Sequence, residues 1–488
     1  MTTCTAVLRR RLPVWLIPAL WNIALGLWGL SRQNSVWRDE AATWQAAQRP
    51  PGDICRMLKN IDAVHGLYYL LMHELFACFG PSTTTLRLPS VLAMAVAAGC
   101  VAVIGHRLAG AWAGTGGGMA FGLFPSVQFY LQEGRPYAMV TAAAGISTLL
   151  LVTMLEGRGG GIRWTAYAGT VLICGLLNWM SLLMVPAHLA TLVWTRAGRG
   201  VWTRWVAASA AATAGVLPLI LFSRGQAHQV AWIPPLTRQM LIAPAALLGV
   251  GSLGAVLDRP QAGRLSVAAV GLPLLAVPQA GLIGVSVVHP LFLDRYVVFS
   301  LLGLALLIGA GLDAAVQAAR PRFPTASTWL VPAIIAATAV ALLPQSLAER
   351  SPASRVDDVL AVAADVQRLK VTGDAVLFVP AWRRDTEYVS PDAFAGLRDI
   401  ALAKGPKESG TLEGVEADPA RIRTAMLAQR RILLVTDATT GPLSAEQDKT
   451  KMAVLKEYFT MMTDVQVRGR RVSVYERARP NVLLYGRG

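Results

Sequence analysis

The sequence predicts a polytopic α-helical membrane protein ending in a small soluble C-terminal α/β domain. Three observations predict it. Of 488 residues, 54% are hydrophobic and only 15% charged, with a mean hydropathy of +0.46; soluble domains carry about 25% charged residues. Apolar runs of spanning length recur as far as about residue 345, after which the composition turns ordinary. Charge divides at the same place: residues 1–346 hold 23 Lys+Arg against 10 Asp+Glu, and the remainder 22 against 19. Of the net charge of +16, +13 therefore belongs to the membrane part. Anionic lipid headgroups or a phosphate-bearing lipid substrate account for it better than nucleic acid does.

A spanning helix needs roughly 20 mainly apolar residues. In chain order the candidates are Pro13–Ser31, Leu88–His106, Ala111–Val127, Tyr137–Leu155, Trp164–Leu177, Ser181–Trp194, Trp205–Phe222, Met240–Leu257, Leu265–Val285, Tyr296–Leu312 and Trp329–Leu343, about eleven transmembrane helices. The fifth and sixth are short and share one apolar stretch broken at Asn178-Trp179, which reads as a tight hairpin. Arg9-Arg10-Arg11 ahead of the first run resembles a signal peptide, but the run is long enough to span and lacks a clean small-residue cleavage site. It is expected to be an uncleaved first helix with its N-terminus inside.

Positive charge supports that threading. The inner connections then carry Arg107, Arg158, Arg163, Arg196, Arg199, Arg204, Arg259, Arg264, Arg320 and Arg322, while the outer connections are sparser in arginine. The threading holds if His65–Phe79, which contains His65, His73 and Glu74, lies in the outer interface as an amphipathic helix. The rare acids then sort by face. Asp39, Glu40, Asp53, Asp62, Glu74, Glu133 and Asp294 fall outside, and only Glu156, Asp258 and Asp313 inside.

The expected domains are 1–345, a transmembrane part with a first outer loop at 32–87, and 346–488, an extracytoplasmic α/β domain. In the latter, Val356–Leu369 has helical spacing, Ala375–Pro380 and Arg431–Asp437 read as buried strands, and Thr450–Met462 reads as a helix. Val465–Glu476 alternates as a strand pair about Gly469-Arg470. Helices alternating with strands make a small α/β layer. The five cysteines (Cys4, Cys55, Cys78, Cys100, Cys174) show neither metal spacing nor a disulfide framework.

Chemistry is concentrated on the outer side. Carboxylates kept in or beside a bilayer usually face a water-filled cavity and carry function. The acidic pair Asp39-Glu40 lies in the aromatic-flanked stretch Ser35-Val-Trp-Arg-Asp-Glu-Ala-Ala-Thr-Trp44, which suits an interfacial helix. Three further outer segments combine a cation or imidazole with aromatics and a carboxylate: Asp62 to His73, Tyr130-Leu-Gln-Glu-Gly-Arg-Pro-Tyr137 and His289-Pro-Leu-Phe-Leu-Asp-Arg-Tyr296. A cavity built from them could hold a phosphate with arginine, stack a sugar on an aromatic ring and deprotonate a hydroxyl with a carboxylate.

Taken in order, Asp39-Glu40, His65-Gly-Leu-Tyr-Tyr-Leu-Leu-Met-His, Leu86-Arg-Leu-Pro-Ser, Gln132-Glu-Gly-Arg-Pro-Tyr, Trp232-Ile-Pro-Pro and Asp294-Arg-Tyr make residues 10–345 resemble the multi-spanning glycosyltransferases of GT-C type. The branch resembled is that of the bacterial protein-O-mannosyltransferases and lipid A aminoarabinose transferases. This chain has His65-Gly66-Leu67-Tyr68 where that group usually carries His-Pro-Pro-Leu-Tyr.

The resemblance implies a polyprenyl-phosphate sugar donor and transfer to a hydroxyl acceptor on the outer face of the cytoplasmic membrane, for envelope glycan, glycolipid or glycoprotein synthesis. The Ala-, Arg- and Gly-rich composition points to a high-GC bacterium, where mannose- or arabinose-type donors are natural. Asp39 corresponds to the acid of the first outer loop and is the expected general base, with Glu40 assisting it or tuning its pKa by like-charge proximity. Arg135 and Arg295, with His65, are the expected donor-phosphate ligands. Trp44, Tyr68, Glu133, Tyr137 and Tyr296 are expected to shape the sugar, acceptor and lipid sites. No cofactor is expected, since no His/Asp cluster has the ligand spacing for the divalent ion that some GT-C enzymes use.

Each assignment has a plainer rival. Arg135 pairing only with Glu133, Arg295 snorkelling to headgroups, and His65, His73 and Tyr68 packing at an interface are the structural alternatives. Glu133 orients Arg135 or binds the acceptor. For the whole chain, the rivals are a lipid-linked sugar transporter or flippase, a non-catalytic envelope assembly partner and a ligase of lipid-linked glycans. A transporter would show paired halves with broken helices and charges near the midplane. No half-to-half correspondence is visible.

Overall fold

The structure is a computed structural model and describes residues 12–258, 262–439 and 441–478. Cys4, Arg9-Arg10-Arg11 and Arg259 lie outside the described residues. The chain divides into two compact units. One contains the residues through Trp28 with Arg87–Leu347, and the other contains Gly29–Leu86 with the residues from Ala348 onward.

In the first unit every expected apolar segment carries a helix. Among the described residues, six are long and apolar enough to cross a membrane: Thr83–Ala109, Tyr137–Leu155, Arg199–Ala227, Gln239–Leu257, Val267–Val288 and Val298–Ala319. Ser327–Ala341 and Leu343–Glu349, bent by 56°, make a seventh if they form one span. Leu16–Leu27, Gly161–Leu177 and Trp179–Trp194 are shorter apolar helices. The third expected segment is split into Ala111–Leu123 and Pro125–Leu131, because Phe124 is extended and Pro125 restarts the helix. The hairpin at Asn178 is also present. Asn178 is extended, and its side chain accepts from the Met180 amide to start a 3₁₀ turn. The protein is a polytopic α-helical membrane protein.

Small residues set the helix spacing. A Cβ on Gly117 would stand 2.6 Å from the Ala305 carbonyl oxygen, and one on Gly118 2.9 Å from that of Ala98. Backbones approach this closely only where side chains are absent, which is how helices associate in lipid without a hydrophobic drive. A buried polar chain ties four helices further. Thr148 Oγ1 and Tyr167 OH stand 3.1 and 2.8 Å from the two ring nitrogens of His188, and Trp205 Nε1 donates to Tyr167 OH at 3.0 Å.

Among the described residues of the second unit, seven strands are β1 (Ala375–Val379), β2 (Arg398–Asp399), β3 (Leu402–Lys404), β4 (Val415–Glu416), β5 (Arg431–Asp437), β6 (Phe459–Val467) and β7 (Arg470–Arg477). The main sheet has the order β2-β1-β5-β7-β6, parallel from β2 to β5 and antiparallel beyond, and β3 pairs with β4 separately. Both faces are covered, so β1 and β5 are continuous apolar runs. Leu377 and Leu434 pack against the helices Pro419–Leu427 and Glu446–Tyr458, and Phe378 and Leu433 against the helix Val359–Leu369. This is the expected α/β layer with one correction. The helix expected over Thr450–Met462 is Glu446–Tyr458, and residues from Phe459 belong to β6, because Phe459 enters the sheet core and pairs with Arg477.

The helices Arg38–Ala47, Pro51–Leu58 and Gly66–Phe79 belong to this second unit. Val36 and Ala41 share an apolar cluster with Val359 and Val389. Arg49 Nη2 donates to the Thr411 carbonyl at 2.8 Å, and Asn60 Nδ2 to that of Gly410 at 3.0 Å.

Candidate functional site

In the second unit the acidic pair opens a helix. Arg32, Gln33 and Asn34 all have positive φ (46°, 56° and 56°), a left-handed run that non-glycine residues rarely adopt. Strain of this kind costs on the order of 1–3 kcal/mol per residue and persists only where the surroundings over-determine it. Here the turn carries the Arg32 guanidinium back onto Glu40, with Nη2 2.6 Å from Oε2 and both side chains fully buried. Asp39 and Glu40 sit in the first turn of Arg38–Ala47, where the helix dipole favours negative charge. Asp39 is half-buried. Glu40 is thus a member of a buried ion pair whose charge Arg32 balances, and Asp39 is the more accessible carboxylate of the two.

The other candidates of this unit flank that helix. The Trp44 ring packs edge-on against Phe76, centroids 5.4 Å apart, and lies against the Val36 cluster. His65 closes the 3₁₀ turn Ala63–His65, half-buried, with its ring 5.9 Å from that of Tyr69. Tyr68 and Tyr69 are fully buried, and Tyr69 OH donates to Asp62 Oδ2 at 2.7 Å. His73 Nδ1 meets the Ala47 carbonyl at 2.9 Å. A Cβ on Gly66, at the start of the helix Gly66–Phe79, would lie 2.8 Å from Leu58 Cδ1, the movable end of a flexible side chain. Arg49 reaches into the same region, and burial lowers its pKa despite Asp53 and Glu413 nearby.

In the membrane unit, the connection between the helices Pro125–Leu131 and Tyr137–Leu155 is buried throughout. Gln132 Nε2 donates to the carbonyls of Gly26 at 2.9 Å and Trp28 at 2.7 Å, which holds the end of the helix Leu16–Leu27. Ser90 Oγ donates to the Glu133 carbonyl at 2.6 Å. Glu133 is 1% and Arg135 7% exposed. Buried charge at such a position is costly unless it is paired, so both are held for a reason.

Tyr137 follows, buried, with its ring 5.4 Å from Tyr130 and edge-on. Tyr130 OH in turn donates to Asp294 Oδ1 at 3.3 Å, and the same oxygen accepts from the Arg295 amide at 2.8 Å. One tyrosine therefore ties the connection bearing Glu133 and Arg135 to the 3₁₀ turn Asp294–Tyr296, which are about 160 residues apart in sequence. Arg295 stands with its guanidinium carbon 5.5 Å from the Trp232 ring centroid and 5.8 Å from that of Tyr296. Both rings lie within cation–π reach of the guanidinium, a contact that favours its charge.

In the membrane unit Tyr130 links Tyr137 to the turn that carries Arg295 and Tyr296, with Glu133 and Arg135 buried in the adjoining connection, and Asp39 and Glu40 lie in the other unit. Three residues were not among the expected site residues: Arg32, Tyr130 and Trp232. The signal for Trp232 was present, an aromatic followed closely by two prolines in a connection between helices, but its partner is visible only in three dimensions. Among the described residues no group of three or more His, Cys, Asp or Glu side chains is arranged to hold a metal ion.

No protein-family model matches the chain. No curated protein matches its sequence. Solved structures do match in fold. ArnT from Cupriavidus metallidurans in the apo state aligns with a TM-score of 0.59 at 14% identity, covering 94% of this chain and 97% of ArnT. The same protein bound to undecaprenyl phosphate gives the same TM-score, identity and coverage. The Archaeoglobus fulgidus oligosaccharyltransferase in complex with zinc and sulfate aligns at a TM-score of 0.48 and 11% identity, over 87% of this chain and 68% of its own. The chain has the GT-C fold.

Proposed function

We propose that this protein is a membrane glycosyltransferase that passes a sugar from a polyprenyl-phosphate donor to a hydroxyl acceptor at the outer face of the cytoplasmic membrane. One observation carries the reading furthest: the Tyr130–Asp294 hydrogen bond joins the two arginine-bearing segments within the membrane unit. The undecaprenyl phosphate bound by ArnT, a protein of the same fold, supports a lipid phosphate as the ligand of such arginines.

The sugar–phosphate bond is already activated, so what remains is to orient the acceptor, take its proton and stabilise the departing phosphate. The acceptor oxygen attacks the anomeric carbon, the bond from that carbon to the phosphate oxygen breaks, and the hydroxyl proton passes to the Asp39 carboxylate. Arg135 and Arg295 neutralise the charge that develops on the leaving polyprenyl phosphate. Tyr137 and Tyr296 line the sugar, Glu133 orients Arg135, and Glu40 holds the base helix through Arg32. A single displacement inverts the anomeric centre. The donor sugar is of mannose or arabinose type, and the acceptor belongs to an envelope glycan, glycolipid or glycoprotein.

The test is transfer by the full-length protein in liposomes from radiolabelled polyprenyl-phosphate mannose and arabinose to envelope lipids and glycans. Asp39→Asn is expected to lower turnover on the order of 10²–10⁴-fold with donor binding retained. Arg135→Gln and Arg295→Gln are expected to weaken donor binding. Wild-type protein that moves labelled donor between leaflets without transferring sugar would overturn the proposal in favour of a transporter.

A further inference from the structure

We propose that the C-terminal sheet domain positions the Asp39 helix for catalysis, with Asp357 holding the chain directly ahead of the base. The inference rests on the role given to Asp39 above. The helix Arg38–Ala47 begins at Trp37, an N-cap residue whose side chain makes no capping bond. Indole cannot accept from the first-turn amides, which need acceptors from elsewhere. The acceptor comes from far along the chain: the Arg38 amide donates to Asp357 Oδ1 at 2.9 Å. On either side of that bond, the Val36 amide meets Asp358 Oδ1 at 3.4 Å and the Val359 amide donates to the Val36 carbonyl at 2.7 Å. Residues 36–38 are thereby zipped to 357–359, and Asp39 is the next residue.

The Asp357 carboxylate is itself immobilised. It is 3% exposed, and its Oδ2 accepts from Arg383 Nη1 at 3.0 Å and from Arg470 Nε and Nη2 at 3.2 and 3.1 Å. Arg470 opens β7 and is fully buried. Asp385 grips it with both oxygens at 2.5 Å, and Thr386 Oγ1 stands 2.6 Å away. Burial by itself raises the Asp357 pKa, but Arg470, Arg383 and the Arg38 amide hold it below the ordinary carboxylate value, so it stays charged.

Asp358 caps its own helix, Val359–Leu369, by accepting from the Leu360 and Ala361 amides. Asp357 has no such local task, and its second oxygen is spent on the Arg38 amide. Val36 and Ala41 complete the contact by packing on Val359 and Val389. A carboxylate locked from behind by two arginines fixes the height and entry angle of the first turn that carries Asp39. Asp357 is accordingly a positioning residue.

The test compares two variants that both lack the Arg38 side chain and differ in whether the amide proton remains. Trp37 has φ −102° and ψ 168°, which proline accepts in its predecessor, and proline suits the first helical position. Arg38→Pro therefore keeps the helix while replacing the amide proton by a ring methylene that pushes Asp357 away. Arg38→Ala removes the exposed side chain and keeps the amide. In the full-length protein, Arg38→Pro is expected to turn over at least about tenfold more slowly than Arg38→Ala, with donor KM within about twofold, since displacements of about 1 Å cost up to 10²-fold. Asp357→Asn, which retains an acceptor oxygen, is expected to keep more activity than Asp357→Ala. Equal turnover of Arg38→Pro and Arg38→Ala, with Asp39→Asn inactive, would overturn the positioning role alone. An active Asp39→Asn would overturn the assignment of the base.

Discussion

Glu40→Ala separates structure from chemistry in the acidic pair. The wild-type carboxylate lies 2.6 Å from Arg32 with both side chains at 0% exposure. Removing one member of a fully buried pair costs about 3–5 kcal/mol, most of it the price of a charge left in a low-dielectric site. For a unit of this size, that corresponds to a fall in Tm on the order of 10 °C. Asp39→Asn, half-buried and near-isosteric, should shift stability by no more than about 1 kcal/mol while abolishing transfer. Thermal unfolding of the purified full-length protein, followed by tryptophan fluorescence, gives the stability arm, and donor-dependent transfer gives the other. Arg32→Ala combined with Glu40→Ala should cost less than the sum of the two single changes, because their mutual contact is lost only once. If Glu40→Ala unfolds like wild type and yet transfers nothing, Glu40 belongs to the chemistry and the reasoning fails.

Three other outcomes are expected. Burial, with Asp399 adding and Arg384 opposing, pushes Glu387 up to about 7 from its ordinary 4.5, so the folded state keeps a proton that the unfolded chain releases. That contribution is complete below about pH 4.5 and is lost as pH rises through about 7, at most about 3 kcal/mol. Glu387→Gln should therefore unfold at a higher temperature than wild type at pH 8, and at the same temperature near pH 4.5. Trp232→Ala should lower donor kcat/KM about 2–30-fold, the worth of about 0.5–2 kcal/mol for the contact with Arg295, while Trp232→Phe keeps most of it; unchanged kinetics would remove Trp232 from the donor site. Gly309→Ala puts a methyl group against the Ala113 carbonyl and should cost about 1–3 kcal/mol, read as a lower melting temperature in detergent. Gly169→Ala, which meets nothing within 4 Å, is its control.

The apolar segments were legible because spanning a bilayer asks only for length and composition, and Tyr137–Leu155 has the expected bounds. The strand Arg431–Asp437 was equally plain, since a short β-branched run between polar turns has few other fates. Thr450–Met462 was not, because periodicity cannot tell where a helix hands an apolar run to a strand; the pairing of Phe459 with Arg477 decides it. The membrane class of this protein and the sharing of charge among its connections were thus set by sequence alone, through what each segment costs to remove from water. The state of Glu40, the stacking of Trp232 on Arg295 and the bond from Asp357 to the Arg38 amide were decided only by tertiary structure. Those contacts depend on which groups meet across as many as 319 residues, and local composition does not encode that meeting.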